Sequence, residues 1–153
     1  MRRVMVKVHI ARGGRGGGVG AFRAHISYIQ RDGVDRDGAG GELYSREGDI
    51  AQAGSFLERS GDDRHQFRLI VSPEDGVKLG DLKSYTRDFM DQVESDLGTR
   101  LDWVAVDHHN TGHPHTHIVI RGKDERGKDL IIVYSHPSVV SSRLQQPLTF
   151  PNP

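Results

Sequence analysis

The sequence predicts an α+β domain, with a mainly antiparallel sheet of about five strands and helices packed on one face. Strand-like apolar segments recur at Val4–Ile10, His65–Val71, Leu101–His108, His115–Arg121 and Leu130–Tyr134, each short enough for one pass of a sheet. The last three are separated by turn-forming stretches at Asn110–Gly112 and Asp124–Lys128, and such short links join antiparallel neighbours. Longer stretches with helical spacing interrupt the earlier strands, and no internal repeat is present, which favours helices laid on a sheet.

Each element follows from its own pattern. Val4, Val6, Val8 and Ile10 form one face of the first strand, and Met5, Lys7 and His9 the other. The glycine-rich run from Ala11 to Gly20 then excludes regular structure, because glycine loses the most backbone freedom on ordering. Ala21–Asp32 places Phe22, Ile26 and Ile29 on one helical stripe, with Gly33 as a stop. Residues 33–46 read as a loop. Asp49–Ser60 has helical spacing through Ile50, Ala53, Phe56 and Leu57, with Asp49 as its N-cap. The strand from His65 stops at Ser72-Pro73. Leu79–Leu97 is the longest helix, with Leu82, Phe89, Val93 and Leu97 in phase and Gly98 after it.

Composition narrows the class. The chain has 153 residues, 35% hydrophobic and 27% charged, which suits one globular domain. The absence of cysteine excludes disulfides and thiolate metal sites. No run approaches the ~20 apolar residues of a membrane span, and Met1-Arg2-Arg3-Val4 lacks the apolar stretch of a secretory signal. A cytoplasmic protein is therefore expected. The formal net charge is zero, but its distribution is uneven. Arg2, Arg3, Lys7, Arg12, Arg15, Arg23, Arg31 and Arg36 face only Asp32 and Asp35 in the first 36 residues. A basic end on a neutral chain is compatible with a polyanionic partner.

The densest chemistry is a histidine cluster: His108, His109, His113, His115 and His117 fall within ten residues. Neutral imidazole is the commonest metal ligand. Residues two apart in a strand share a face about 7 Å apart, so His115 and His117 can converge on one ion. His113 lies about 13 Å from His117 along an extended strand, too far to share it. A third ligand must come from the preceding strand, and either His108 or His109 lies opposite His115. A one-residue change of register exchanges the two, so spacing leaves both open.

The glycine loop follows a strand and precedes a helix but lacks the Gly-Lys-Ser/Thr ending of a triphosphate loop. What remains is a loop bearing Arg12 and Arg15 before a helix N-terminus, a setting that suits phosphates. Tyr28 lies off the Phe22–Ile26–Ile29 stripe, on the side shared with His25 and Arg31. Tyr85 belongs near the packing side of the long helix, and Tyr44 and Tyr134 have no basic setting.

These residues resemble a family. His108-His109-Asn110-Thr111-Gly112-His113-Pro114-His115-Thr116-His117 is similar to the metal motif of conjugative relaxases of the MobA/Vir-type mobilisation group, which are HUH endonucleases. Thr116 stands at the usually hydrophobic middle position, and Asn110 where the pattern has Asp. His25-Ile26-Ser27-Tyr28-Ile29-Gln30-Arg31-Asp32-Gly33 is similar to the group's nucleophile motif, and His65–Pro73 to its middle motif. Together the three cover roughly residues 2–132. The expected domain is thus a relaxase-like nuclease over residues 1–132. The Pro-containing tail, 133–153, departs from the family pattern and suggests a truncated core.

The resemblance implies metal-dependent, strand-specific nicking and joining of single-stranded transfer-origin DNA in plasmid mobilisation. Tyr28 is then the nucleophile and forms a 5′-phosphotyrosyl intermediate, assisted by Arg31. His108, His115 and His117 hold a divalent ion, Mg²⁺ or Mn²⁺. Arg12, Arg15 and Arg23 contact DNA phosphates, while His25, His65, His109 and Asn110 form the surroundings. The implied partners are transfer-origin DNA, accessory relaxosome proteins and a type IV secretion coupling protein, with no membrane. The alternatives are a rolling-circle replication initiator of the same superfamily, which usually carries its tyrosine after the histidines, or a non-catalytic DNA-binding fragment. A metallohydrolase using metal-activated water is a further class, and it predicts cleavage without a covalent adduct.

Overall fold

A computed structural model describes residues 4–13, 18–34, 38, 40–74, 81–109 and 112–131. The elements run β1 (Val4–Arg12), α1 (Gly18–Asp32), α2 (Ala53–Arg59), β2 (His65–Pro73), α3 (Leu82–Leu97), β3 (Trp103–His108) and β4 (His115–Arg121). The four strands form one antiparallel sheet in the order β1-β2-β4-β3. The α+β class and the antiparallel sheet are as the sequence predicts. Of the expected fifth strand, Leu130 and Ile131 are described and neither is in the sheet. The tail 133–153, Tyr134 included, lies outside the described residues.

The helices differ from expectation: they cover both faces of the sheet. On one face α3 packs Leu82, Phe89, Met90 and Val93 against Phe67, Leu69, Trp103, Ala105, Ile118 and Ile120. On the other, α1 and α2 pack Phe22, Ile26, Ile29, Phe56 and Leu57 against Val104, Val106 and Val119. The reason is visible in β3, where every residue is buried. A strand with both faces apolar needs a cover on each side. Full burial of each such side chain is worth about 1.5–3 kcal/mol, so neither face of β3 tolerates exposure.

Local signals act largely as read, but the glycine-rich run is not wholly irregular: β1 continues through Ala11 and Arg12, and α1 begins at Gly18 rather than Ala21. Asp81 caps α3, its carboxylate accepting the Ser84 N–H at 3.2 Å, and Gly98 ends the helix in the left-handed region at φ 71°. The second helix is shorter than expected. Its N-cap residue is Gln52, with no side-chain cap. Asp49 pairs with Arg87 instead, at 2.9 Å, and Ile50 is exposed. Gly33 follows α1 where a Cβ would meet Val106 Cγ1 at 2.5 Å and the Ile29 carbonyl at 2.8 Å. Only glycine allows the chain to leave α1 this close to β3. Val34 then bridges to His108, and its carbonyl accepts the His109 N–H at 2.8 Å.

One buried ion pair anchors β4. Arg121 donates from Nε and Nη2 to the two oxygens of Asp63, both at 2.9 Å, and Asp63 is almost fully buried. Removing one partner of such a pair strands a buried charge, at a cost of about 3–5 kcal/mol. Arg121→Ala is expected to lose stability in that range in chemical denaturation, and Arg121→Met with Asp63→Asn much less. Equal losses in the two proteins would show that charge burial is not the cause.

Candidate metal centre and tyrosine helix

The register of β3 and β4 decides which histidines meet. His108 pairs directly with His115, and Val106 with His117. His108, His115 and His117 therefore share the α1 face of the sheet. Their ring centroids lie 5.1 Å (His108–His115), 4.3 Å (His108–His117) and 5.3 Å (His115–His117) apart. One nitrogen from each falls within 4.8 Å of the others. This triad can hold a metal ion.

The imidazoles are set up as ligands. His108 Nε2 lies 3.1 Å from the Ile29 carbonyl, and His115 Nδ1 lies 3.0 Å from the His113 carbonyl. A ring N–H held by a backbone carbonyl leaves the other nitrogen with its lone pair, the usual arrangement around a bound metal. Burial, then the fields of His108, His115 and His25, pushes the His117 pKa down to about 3. Burial and the field of His115 also lower that of His108. Both are neutral at pH 7, the form that coordinates.

The same shifts set a stability window. His117 titrates at about 3 and His25 at about 4 in the folded chain, against an ordinary value of 6.5. Between those values the unfolded chain binds more protons, so stability is full above pH 6.5 and falls as acid is added. The melting temperature of the metal-free protein is expected to drop across this window. The drop should be smaller in a His25→Gln, His117→Gln double variant. Parallel curves for the two proteins would exclude these groups as its source.

Helix α1 lies against the triad. Tyr28 immediately precedes Ile29, whose carbonyl touches His108. Phe22, Ile26 and Ile29 are buried, whereas Tyr28 is 49% exposed. The Tyr28 ring stacks on His25 with centroids 6.4 Å apart, and the Arg31 guanidinium lies 5.7 Å from its centroid. Arg31 also pairs with Asp32 at 3.5 Å on the surface. Tyr85 is buried, as expected of the packing side of α3. Tyr44 does have a basic setting, contrary to the sequence reading: Lys83 Nζ and Arg87 Cζ lie 5.0 and 5.5 Å from its ring centroid. It is no nucleophile, because it is fully buried and its hydroxyl donates to Asp107 at 2.6 Å. Burial and the Asp107 charge raise its pKa well above 10.

Several expected site residues lie elsewhere. His65 projects on the α3 face, where Nε2 meets the Leu130 carbonyl at 2.7 Å and the ring packs edge-on against Phe67. His109 is on that face too, with Nε2 3.9 Å from Asp107. Strand alternation separates both from the triad. Arg12 ends β1 on the α3 side, lining a cleft with Ile10, His65 and Phe67. Arg23 is exposed on α1. Arg15 and Asn110 lie outside the described residues.

Sequence reasoning missed the support beneath the triad. Asp107 is buried on the opposite face, accepting from Tyr44 at 2.6 Å, Thr116 at 3.0 Å and Lys83 at 3.2 Å. Asp107 and Thr116 are register partners, so their hydrogen bond helps to fix the pairing that sets His108 opposite His115. Thr116 stands between His115 and His117 with its hydroxyl facing this carboxylate. The signal was available: an aspartate directly after the apolar run Trp103–Val106 and before His108, within the same strand.

The fold and triad define an α+β domain with a candidate metal site. The MobA/VirD2-like relaxase nuclease-domain model matches residues 44–132, more than half of the chain, and the chain belongs to that family of DNA-nicking relaxases. The match includes the three histidines but begins after Tyr28. No curated protein matches the chain. Among the described residues, no helix is long and apolar enough to cross a membrane.

Proposed function

We propose that the chain nicks and rejoins single-stranded DNA at a transfer origin through a 5′-phosphotyrosyl intermediate on Tyr28. The observation that carries this reading is the contact between α1 and the triad. An exposed tyrosine is held one residue from a carbonyl that orients a candidate metal ligand.

The donor set fits a divalent ion. Three imidazoles, with no carboxylate in the cluster among the described residues, favour Mn²⁺ over Mg²⁺, since Mg²⁺ prefers oxygen ligands. When bound, the ion supplies Lewis-acid neutralisation of the phosphate charge. The remaining chemistry belongs to side chains. The Tyr28 oxygen attacks phosphorus, the bond to the 3′ oxygen breaks, and that oxygen leaves to take up a proton. An unperturbed tyrosine ionises near ~10, so the hydroxyl proton needs an acceptor. Solvent accepts it at the half-exposed ring, and Arg31, whose guanidinium lies 5.7 Å from the ring centroid, favours the phenolate. His25, its pKa lowered by burial to about 4, is too weak a base to hold the proton. One phosphodiester replaces another, so religation needs no added energy source. The physiological setting of this reading is plasmid mobilisation in the cytoplasm, with accessory relaxosome proteins and a coupling protein.

The test is direct. Incubating the chain with Mn²⁺ and a randomised library of labelled single-stranded DNA should give a covalent protein–DNA band on a denaturing gel. Cleavage without that band would instead indicate attack by water, and binding without cleavage a non-catalytic module.

A further inference from the structure

Four described arginines are half-buried: Arg46, Arg68, Arg87 and Arg121. Three of them hold carboxylates. Arg46 pairs with Glu94, Arg87 with Asp49, and Arg121 with Asp63 and Asp102. Arg68 has no carboxylate partner among the described residues. Its Nε donates to the Gln66 side-chain oxygen at 3.0 Å, and its two Nη groups have no partner among those residues. Burial lowers its pKa, as for a cation that loses water without gaining an anion.

The sheet register shows where this guanidinium faces. Arg68 pairs with His9 of β1 and Val119 of β4, while Ile70, two residues on, pairs with His117. Arg68 therefore shares the α1 face with His117, about 8 Å away by the diagonal between strands. Beyond it the face is open: Met5, Lys7 and His9 on β1 are exposed. Lys7, the partner of Ile70 in the register, has no carboxylate partner among the described residues either. His25 feels the fields of both Arg68 and His9, so Arg68 lies at the border between the tyrosine helix and the open sheet.

We propose that Arg68, with Lys7 one strand outward, binds a backbone phosphate of single-stranded DNA next to the scissile one and leads the strand from the triad across the exposed β1–β2 face. The ligand rests on the relaxase reading above. The chemistry is a guanidinium fork offering two parallel N–H donors to phosphate oxygens, and neither Arg68 nor Lys7 is paired with a carboxylate among the described residues. This strip is separate from Arg12, which lies on the other face.

The experiment measures anisotropy of a fluorescein-labelled oligo(dT) strand across a series of salt concentrations. Each lost phosphate contact flattens the log–log slope by about 0.7 for single strands. R68Q and K7Q are each expected to show that flattening. R68K should restore the slope, and Mn²⁺ titration of R68Q should match wild type. An unchanged slope in R68Q, or a wild-type protein with no salt-dependent binding, overturns the proposal. If R68Q fails to fold, K7Q on the exposed strand carries the same test. The two readings separate cleanly. A covalent band from wild type with an unchanged R68Q slope removes only the phosphate strip. A flattened slope with no covalent band leaves the strip and removes the nicking chemistry.

Discussion

Tyr28→Phe is expected to abolish the covalent protein–DNA band, a loss of at least about 10³-fold, while affinity for single-stranded DNA stays within about twofold. The size follows from removing the only atom that forms the new bond. General assistance by neighbouring groups contributes roughly 10²–10⁴ in rate, but it has nothing to act on without the hydroxyl. Binding should survive because the ring is 49% exposed and its carbon skeleton remains to stack on His25. Stability should also hold, since no hydrogen bond anchors the hydroxyl among the described residues. No other described tyrosine can substitute: Tyr44 is sealed against Asp107 and Tyr85 is buried. An undiminished band in Tyr28→Phe would therefore move the nucleophile out of α1, and with it the functional reading.

Much of this arrangement is legible in the residues, and the unread parts share one cause. Alternation places Val4–Ile10 and His65–Val71 in strands, and the Phe22–Ile26–Ile29 stripe puts α1 on the core, because each of these signals is local. The two-apart spacing of His115 and His117 likewise puts them on one face. The choice between His108 and His109 is not local. It depends on the pairing of β3 with β4, which the Asp107–Thr116 hydrogen bond helps to fix. The same holds for His65, whose face depends on strand alternation relative to the rest of the sheet. Helices on both faces follow from the two-sided burial of β3, which a continuous apolar run suggests but does not assign. Arg68 carries no local signal within the strand His65–Val71. Its meaning comes from contrast with arginines paired across 38 to 58 residues of chain.

Removing a ligand tests the other half of the site. His117→Ala is expected to weaken Mn²⁺ binding by more than about 100-fold, since loss of a partner one shell further out already costs 10–100-fold. The site would keep only His108 and His115, whose rings lie 5.1 Å apart. His115→Ala should behave alike. His65→Gln should bind as wild type does, because His65 lies on the opposite face against Leu130. Thermal unfolding gives an independent readout. Metal at about 100 times its Kd stabilises the folded state by about 2.7 kcal/mol, and this increment should vanish in His117→Ala. The metal-free variant should melt close to wild type above pH 6.5, where the imidazole is neutral in both folded and unfolded chains. Wild-type Mn²⁺ affinity in His117→Ala would rule it out as a ligand. Equal weakening in His65→Gln would show that the measured metal sits elsewhere on the sheet.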